Sequence, residues 1–476
     1  MRGLLLVLGM ACTGETGPKP VAPGTPGGDS AADTACAEVY FRDADGDGWG
    51  ATLDTVSGCE PPTGYVAVGG DCDDADPGIH PGNPEIPRDS IDQDCDGDDE
   101  CSDISCDGFL DVVVSITADS NGIASTDSLV FWGTSGAGFT GSTSLPTLGA
   151  RGNTIADINN DGWPDVVFAQ SSDGVSGQIG SRIYWGAPEA ALQTYTELPT
   201  SSAWAVAAGD LDGDGWVDLV FANHDDGDTT VTVSSIYYNS AAGFGGRTAE
   251  LPTVGAAAVS AVDVDGDGWL DLLFSNERNN NNYLVDSVLY YGAASGFDPG
   301  RYVNFPTAGA AGNAAADLNA DGYVDLVFAN SFDGLTHEVS SVVYWGGAAG
   351  FDPDASLTLP TTGAQGVSVE DVDRDGWRDV VVSGGSTDSG DNPLSYVFWG
   401  SSSAFSDGEH IELATHGSVG NSVADVNYDG WADLVFAGAG QAEVFYGPSW
   451  PYVDSIPVPA TANGWGVSSI VLEQGL

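Results

Sequence analysis

Residues 210–223 read Asp210-Leu-Asp-Gly-Asp-Gly-Trp-Val-Asp-Leu-Val-Phe-Ala-Asn223. Carboxylates stand at positions 1, 3, 5 and 9 of a tight turn, and Gly215 at position 6 supplies the freedom a sharp bend demands. A short apolar run rich in β-branched and aromatic residues follows, which predicts a buried strand. The same phrase, Asp-x-(Asp/Asn)-x-Asp-Gly-aromatic-x-Asp, begins again at Asp157, Asp263, Asp317, Asp371 and Asp425, and a degenerate copy begins at Asp103. Successive starts lie 54, 53, 53, 54, 54 and 54 residues apart. A period this regular marks a repeat architecture with one structural unit per copy.

Each unit reads as four strands. In the third copy these are Ala203 to Gly209 before the turn, Asp218 to Asn223 after it, Val231 to Tyr238, and a stretch from about Phe244 to Leu251 before Pro252. No segment shows sustained helical periodicity. An aromatic pair recurs at Phe131-Trp132, Tyr184-Trp185, Tyr237-Tyr238, Tyr290-Tyr291, Tyr344-Trp345, Phe398-Trp399 and Phe445-Tyr446. Adjacent positions on a strand point to opposite faces, so one ring of each pair is expected to pack against a neighbouring unit. Four short strands repeated seven times predict an all-β fold, a seven-bladed β-propeller. No clear apolar strand precedes Asp103, whereas an extra segment, Trp465 to Leu472, follows the last copy. Registered on Val458-Pro459-Ala460, Ile470 stands where a turn aspartate would be. The C-terminal segment is therefore expected to supply the missing first strand of blade one and close the ring, removing two open sheet edges.

Side chains at positions 1, 3, 5 and 9 of such a turn can converge on one point, and the position-7 carbonyl can add an oxygen. Hard-oxygen ligation of this kind suits Ca2+ better than Mg2+, which demands a stricter octahedron. Two carboxylates about 4 Å apart repel by roughly 4 kcal/mol at an effective dielectric near 20, and a bound dication reverses that sign. The candidate ligands are Asp157, Asn159, Asp161 and Asp165; Asp210, Asp212, Asp214 and Asp218; Asp263, Asp265, Asp267 and Asp271; Asp317, Asn319, Asp321 and Asp325; Asp371, Asp373, Asp375 and Asp379; and Asp425, Asn427, Asp429 and Asp433. The first copy offers Asp103, Asp107 and Asp111, but Ser105 stands at position 3 with Cys106 beside it, which makes it the weakest candidate. Calcium is expected in the six well-formed turns, and its binding should be linked to stability. The competing reading is that the aspartates only make Asx-turns between strands.

These repeats resemble FG-GAP (VCBS-type) repeats, the blade unit of the integrin alpha-chain propeller, over residues 103–476. The resemblance implies calcium in the turns joining the first and second strands of each blade, on one face of the disc. It also implies ligand binding on the opposite face. The loops of that second face do not match integrins, so no integrin ligand residue carries over.

The chain has 476 residues and a formal net charge of −59; Lys19 is the single lysine beside ten arginines. Such a surface repels nucleic acid and anionic lipid and attracts cations. Residues 1–11 resemble a lipoprotein-type signal ending before Cys12, the one expected membrane attachment. Residues 12–36 read as a flexible Gly/Pro/Ser/Thr tether. Six more cysteines, Cys36, Cys59, Cys72, Cys95, Cys101 and Cys106, lie close together in an exported chain and predict disulfides. Of the fifteen connectivities, only Cys72 with Cys95 is singled out. Residues 37–100 form an acidic module of their own. It contains a further turn with Asp43, Asp45 and Asp47 as candidate ligands, then Asp71-Cys72-Asp73-Asp74, Glu85 and Asp92-Gln93-Asp94-Cys95. This order is similar to the MopE-type metal-binding motif, a family with a copper-binding member. Copper prefers imidazole and sulfur, and only His80 is near, so the carboxylates favour Ca2+. An acidic solvated spacer is the plainer alternative.

No catalytic motif is present, and no catalytic residue is assigned. His224 and His337 lie just after second strands, on the face away from the turns. The loops there, beginning at Asn223, Asn276 and Asn330, are polar and varied. The expected function is a monomeric, calcium-binding, exported or cell-surface binding and adhesion protein for an extracellular glycan or protein. The alternatives are an extracellular carbohydrate-active enzyme and a calcium- or copper-sequestering surface protein.

Overall fold

The structure, a computed structural model, describes residues 38–469 except 82, 84, 85, 87–90, 96–100, 102, 120–122, 135–138, 189–191, 391–393, 402–404, 406–409, 439, 440, 448–452 and 457–461. The signal, the tether, Cys12, Cys36 and Ile470 lie outside the described residues. Among the described residues are 32 strands, numbered β1 to β32 in chain order, and no α-helix. They form eight four-stranded sheets.

Seven of the sheets are the blades of a β-propeller. Blade three shows the pattern, with β12 (Ala203–Gly209), β13 (Asp218–Asn223), β14 (Val231–Tyr238) and β15 (Arg247–Val254) side by side in chain order. The outer strand runs to Val254, past the expected end at Leu251. Pro252 pairs with Val233 there, and an edge strand tolerates a residue that cannot donate on its open side. Blade one is built from both ends of the ring. β32 (Ala462–Ser469) pairs antiparallel with β5 (Val112–Asp119), followed by β6 (Ser128–Gly133) and β7 (Phe139–Leu145). This is the closure expected from the C-terminal segment.

The second strand of each of blades two to seven is buried on both faces along its whole length, for example Asp165–Gln170 and Asp325–Asn330. That accounts for the unbroken apolar run in the sequence, since each blade packs against two neighbours. Alternation sorts the run. Phe168 packs toward blade one and Val167 toward blade three. Phe328 packs toward blade four and Val327 toward blade six. The last interface joins Val435 and Val444 of blade seven to Val112 and Val114 of blade one, so the ring is closed by apolar packing as well as by β32. The aromatic pairs go further than expected, because both rings are used. Tyr184 packs against blade one and its neighbour Trp185 against blade three, and the other pairs divide in the same way. Where the first ring is tyrosine, its hydroxyl donates to a proline carbonyl of the preceding blade, as in Tyr290 to Pro252 at 2.7 Å and Tyr344 to Pro306 at 2.6 Å.

The eighth sheet belongs to the N-terminal module, in the order β3 (Tyr65–Val66), β1 (Glu38–Arg42), β2 (Gly50–Gly58), β4 (Gly69–Asp71). β4 runs parallel to β2, whereas the other pairings are antiparallel. The Cys72–Cys95 disulfide forms as expected. A second bridge joins Cys106 of the degenerate first turn to Cys101 just before it, and Cys59 is also disulfide-bonded.

Candidate metal centres

The turns that join first to second strands are organised around their position-9 aspartates. Asp218 is fully buried, and its two oxygens accept from different segments: Oδ2 from the Leu211 N–H at 2.9 Å and Oδ1 from the Asn239 N–H at 2.7 Å. Asp271 does the same with Val264 and Gly292, Asp325 with Leu318 and Gly346, and Asp379 with Val372 and Gly400. Asp165 and Asp433 repeat the arrangement. The carboxylate thus fastens the turn to the residue after the aromatic pair. That residue is glycine in all copies but the third, because a Cβ at Gly292 or Gly346 would lie 2.2 Å from the Leu270 or Val324 carbonyl oxygen. The position-1 carboxylate folds the turn itself. Asp210 accepts from the N–H groups of Gly213, Asp214 and Gly215.

Positions 1, 3 and 9 converge. In the third, fourth and sixth copies, Asp210, Asp212 and Asp218, then Asp263, Asp265 and Asp271, then Asp371, Asp373 and Asp379, each offer oxygens within 4.8 Å of one another. Asp212 Oδ1 is buried there without a hydrogen-bond donor, as expected of an oxygen kept for a cation. The oxygen-only donor set fits a hard divalent ion. In the second, fifth and seventh copies Asn159, Asn319 and Asn427 stand at position 3 and accept from, or donate to, the position-5 residue. The position-5 aspartates, Asp161, Asp214, Asp267, Asp321, Asp375 and Asp429, are outside these three-carboxylate groups. Each accepts the N–H of position 7, as Asp214 does from Trp216 at 3.0 Å.

Charge is concentrated at a cost. Burial, then repulsion from the other turn carboxylates, pushes Asp218, Asp271 and Asp325 up to about 6, and Asp165, Asp379 and Asp433 up to about 7, against the pull of their backbone donors. Arginines relieve two of the turns. Arg247 Nη1 lies 2.7 Å from Asp212, and Arg301 Nη2 lies 3.4 Å from Asp265. The first copy differs. Asp103, Asp107 and Asp111 are present, but Asp103 and Asp111 are fully buried, and Ser105 Oγ donates to Asp103 at 2.7 Å. Burial raises Asp103 to about 6 and holds Asp111 well above the ordinary carboxylate range.

Position 4 keeps no single residue type across the copies, yet it adopts a left-handed conformation in every one, at Gly213 and Gly266 but also at Cys106, Asn160, Ala320, Arg374 and Tyr428. Several of these residues reach the next turn. Asn160 Nδ2 donates to the Gly215 carbonyl at 3.0 Å, Arg374 lies over Trp431, and the Tyr428 hydroxyl accepts from the Leu110 N–H. The turns therefore touch one another around one face of the disc.

In the N-terminal module Asp43, Asp45 and Asp47 form one close carboxylate group and Asp45, Asp71 and Asp74 another. Asp71 and Asp74 were not among the ligands expected from sequence. His80 stacks beside Trp49, and its Nε2 lies 3.9 Å from Asp47 Oδ2.

The FG-GAP-like repeat model matches residues 157–221, 210–274, 263–328, 317–382 and 371–436, together more than half of the chain. The chain belongs to the FG-GAP-like repeat family. The MopE-type metal-binding motif matches residues 71–100. No curated protein matches. Among solved structures, a Lactobacillus plantarum protein is similar over 76% of this chain and 99% of its own, at 10% identity and a TM-score of 0.50, a likeness of fold alone. A functionally unknown protein from Desulfotomaculum acetoxidans is 14% identical with a TM-score of 0.47, covering 76% of this chain and 98% of that one. An Agrocybe aegerita lectin described as recognising non-reducing terminal N-acetylglucosamine is 14% identical with a TM-score of 0.41, over 74% and 90%.

The opposite face of this FG-GAP propeller sets side chains that differ from blade to blade on a repeated backbone frame. The inner strands of blades two to five, β8 (Ala150–Ala156), β12, β16 (Ala256–Val262) and β20 (Ala310–Ala316), each shift register across their second residue. A bulge of this kind frees and re-aims a side chain. The bulged residues are Arg151, Trp204, Ala257 and Ala311. The Arg151 guanidinium lies 3.5 Å over the Trp204 ring, and His224 stacks on that ring at 3.7 Å. His224 is fully buried, with Nε2 2.8 Å from Glu277 and Nδ1 3.2 Å from Asp225. Burial pushes Glu277 up, but the His224 hydrogen bond and the charges of His224, Arg278 and Arg151 outweigh it and leave the carboxyl below its ordinary range. Arg278 continues the network to Tyr283, then Phe332 and His337, which pairs with Asp388 at 2.8 Å. His224 is thus walled in by its partners, and His337 is the more accessible of the two.

Proposed function

We propose that this chain is an exported calcium-binding protein whose propeller serves as a rigid platform for recognising an extracellular glycan or protein, and that it binds rather than catalyses. The observation that carries this reading is the division of labour between the faces. One carries the aspartate turns in phase around the ring, convergent at Asp210, Asp263 and Asp371, and the other carries a cluster of arginine, aromatic, histidine and carboxylate groups across blades two to six. Calcium is favoured because the donors are all oxygens. The disulfides support an oxidising compartment, and attachment through Cys12 belongs to the same reading. Polar loops on a rigid ring suit recognition. The test is to apply the full chain to glycan and protein arrays in Ca2+ and in EGTA, with each retained glycan also assayed for cleavage. Retention that needs calcium and is lost in Glu277→Gln supports the proposal. Retention indifferent to Glu277 and Arg278, or turnover of a retained glycan, overturns it.

A further inference from the structure

The two carboxylate groups of the N-terminal module share Asp45. Asp45 of the β1–β2 turn therefore also belongs to a group with Asp71, the last residue of β4, and Asp74 in the turn after it. The segments are also tied directly, because the Ala44 N–H donates to Asp74 Oδ1 at 2.7 Å. Acidic clusters are expected on a chain of net charge −59, and most need no ion. Burial sets this one apart. Asp71 is 4% exposed and the Asp47 side chain 5% exposed, yet Oδ2 of each, like Oδ2 of Asp45, is shielded from solvent with no hydrogen-bond donor. Burying even one carboxylate oxygen without a donor is costly, and three are gathered here. His80, whose Nδ1 lies 3.0 Å from the Pro81 carbonyl, brings at most one positive charge against five carboxylates.

We infer that Asp45, Asp71 and Asp74 together hold one hard divalent cation, Ca2+ by their chemistry, with Asp43 and Asp47 of the same turn beside it. The matched motif, residues 71–100, supplies only part of the site, and the turn before it completes the ligand set. Six to eight oxygens are what Ca2+ takes, and three carboxylates, mono- or bidentate, with backbone or water oxygens meet that need. Copper wants nitrogen or thiolate. Only one imidazole faces the cluster, and Cys72 and Cys95 are joined in a disulfide. This site is separate from the propeller turns and stands or falls independently of the function proposed for them.

Hydrogen exchange resolved by peptide, on the full chain titrated with Ca2+ from EGTA, tests it. Amides 44–50 and 72–76 should gain protection together, with one half-saturating concentration. Asp71→Asn should raise that concentration at least about tenfold in segment 44–50, and Asp45→Asn should do the same in segment 72–76. Asp210→Asn, in a propeller turn, should move neither. If Asp71→Asn exposes the Cys72 and Cys95 thiols to alkylation, and so has not folded, Asp74→Asn takes its place with the same cross-effect. Variants that change only their own segment, segments that saturate at different concentrations, or no protection by Ca2+ would each overturn the shared site. Preferential uptake of Cu2+ over Ca2+ at equal concentration would overturn the choice of ion.

Discussion

On one face of the disc Asp210, Asp263 and Asp371 each open the same turn, and Asp218, Asp271 and Asp379 each close it with the same two backbone hydrogen bonds. On the other face Arg151, Trp204, His224 and Glu277 meet once, and the matching bulges of blades four and five hold Ala257 and Ala311. The repeated side chains serve the ring as well as any ion, because the position-9 carboxylate fastens strand to turn. The cluster on blades two to six takes no part in the β32–β5 pairing that closes the ring, which suits it to the recognition proposed above. Repetition therefore marks what every blade needs, and departure from repetition marks what this chain alone does.

The contrast sharpens into measurable differences. Removing divalent metal should have the largest effect, because each site filled at about a hundred times its Kd adds about 2.7 kcal/mol. A thermal melt in excess EGTA should fall well below that in millimolar Ca2+. An unchanged Tm would reduce the repeated face to Asx-turns. Next, Asp218→Ala leaves the Leu211 and Asn239 N–H groups without their acceptor and should cost roughly 2–5 kcal/mol in urea unfolding. Arg278→Ala on the other face should stay within about 1 kcal/mol of the parent while ligand retention is lost.

The pH dependence separates the metal-free from the metal-loaded turns in sign. The position-9 carboxyls sit at about 6 to 7 in the metal-free chain, above their unfolded value. Between about pH 4 and 7 the folded chain then keeps protons that the unfolded chain releases, so stability in EGTA should fall as pH rises through that window. With saturating Ca2+ the fall should disappear or reverse, because the ion favours the ionised form. Urea unfolding at both ends of the window, with and without EGTA, reads this directly. The smallest effect is expected at Ala320, which holds a φ of 57°. Ala320→Gly should gain up to about 1 kcal/mol, and Gly266→Ala should lose a similar amount.

Much of this was legible in the chain because the period forced it. Seven phrases in register fixed the blade count and the missing strand before Asp103 pointed to the C-terminus, whereas only one ring of each aromatic pair was expected to pack and both do. The features that stayed hidden depend on contacts across long separations or on backbone angles. Nothing in Asp218 announces that its second oxygen waits for Asn239, 21 residues on. The left-handed position 4 was masked because Asn, Ala, Arg, Tyr and Cys occupy it beside glycine. Asp71 and Asp74 looked like part of an acidic run until β4 brought them beside Asp45. The Arg151–Trp204–His224 stack has no local signature, since each member comes from a different strand or loop.

The most direct test is a crystal structure of the full chain grown in millimolar Ca2+, with anomalous data to identify the ions. The account predicts a peak enclosed by Asp210, Asp212 and Asp218, and equivalent peaks in the turns at Asp263 and Asp371, with oxygens at about 2.3–2.6 Å. Water molecules or the Arg247 guanidinium filling that space, with no ion in any turn, would contradict it.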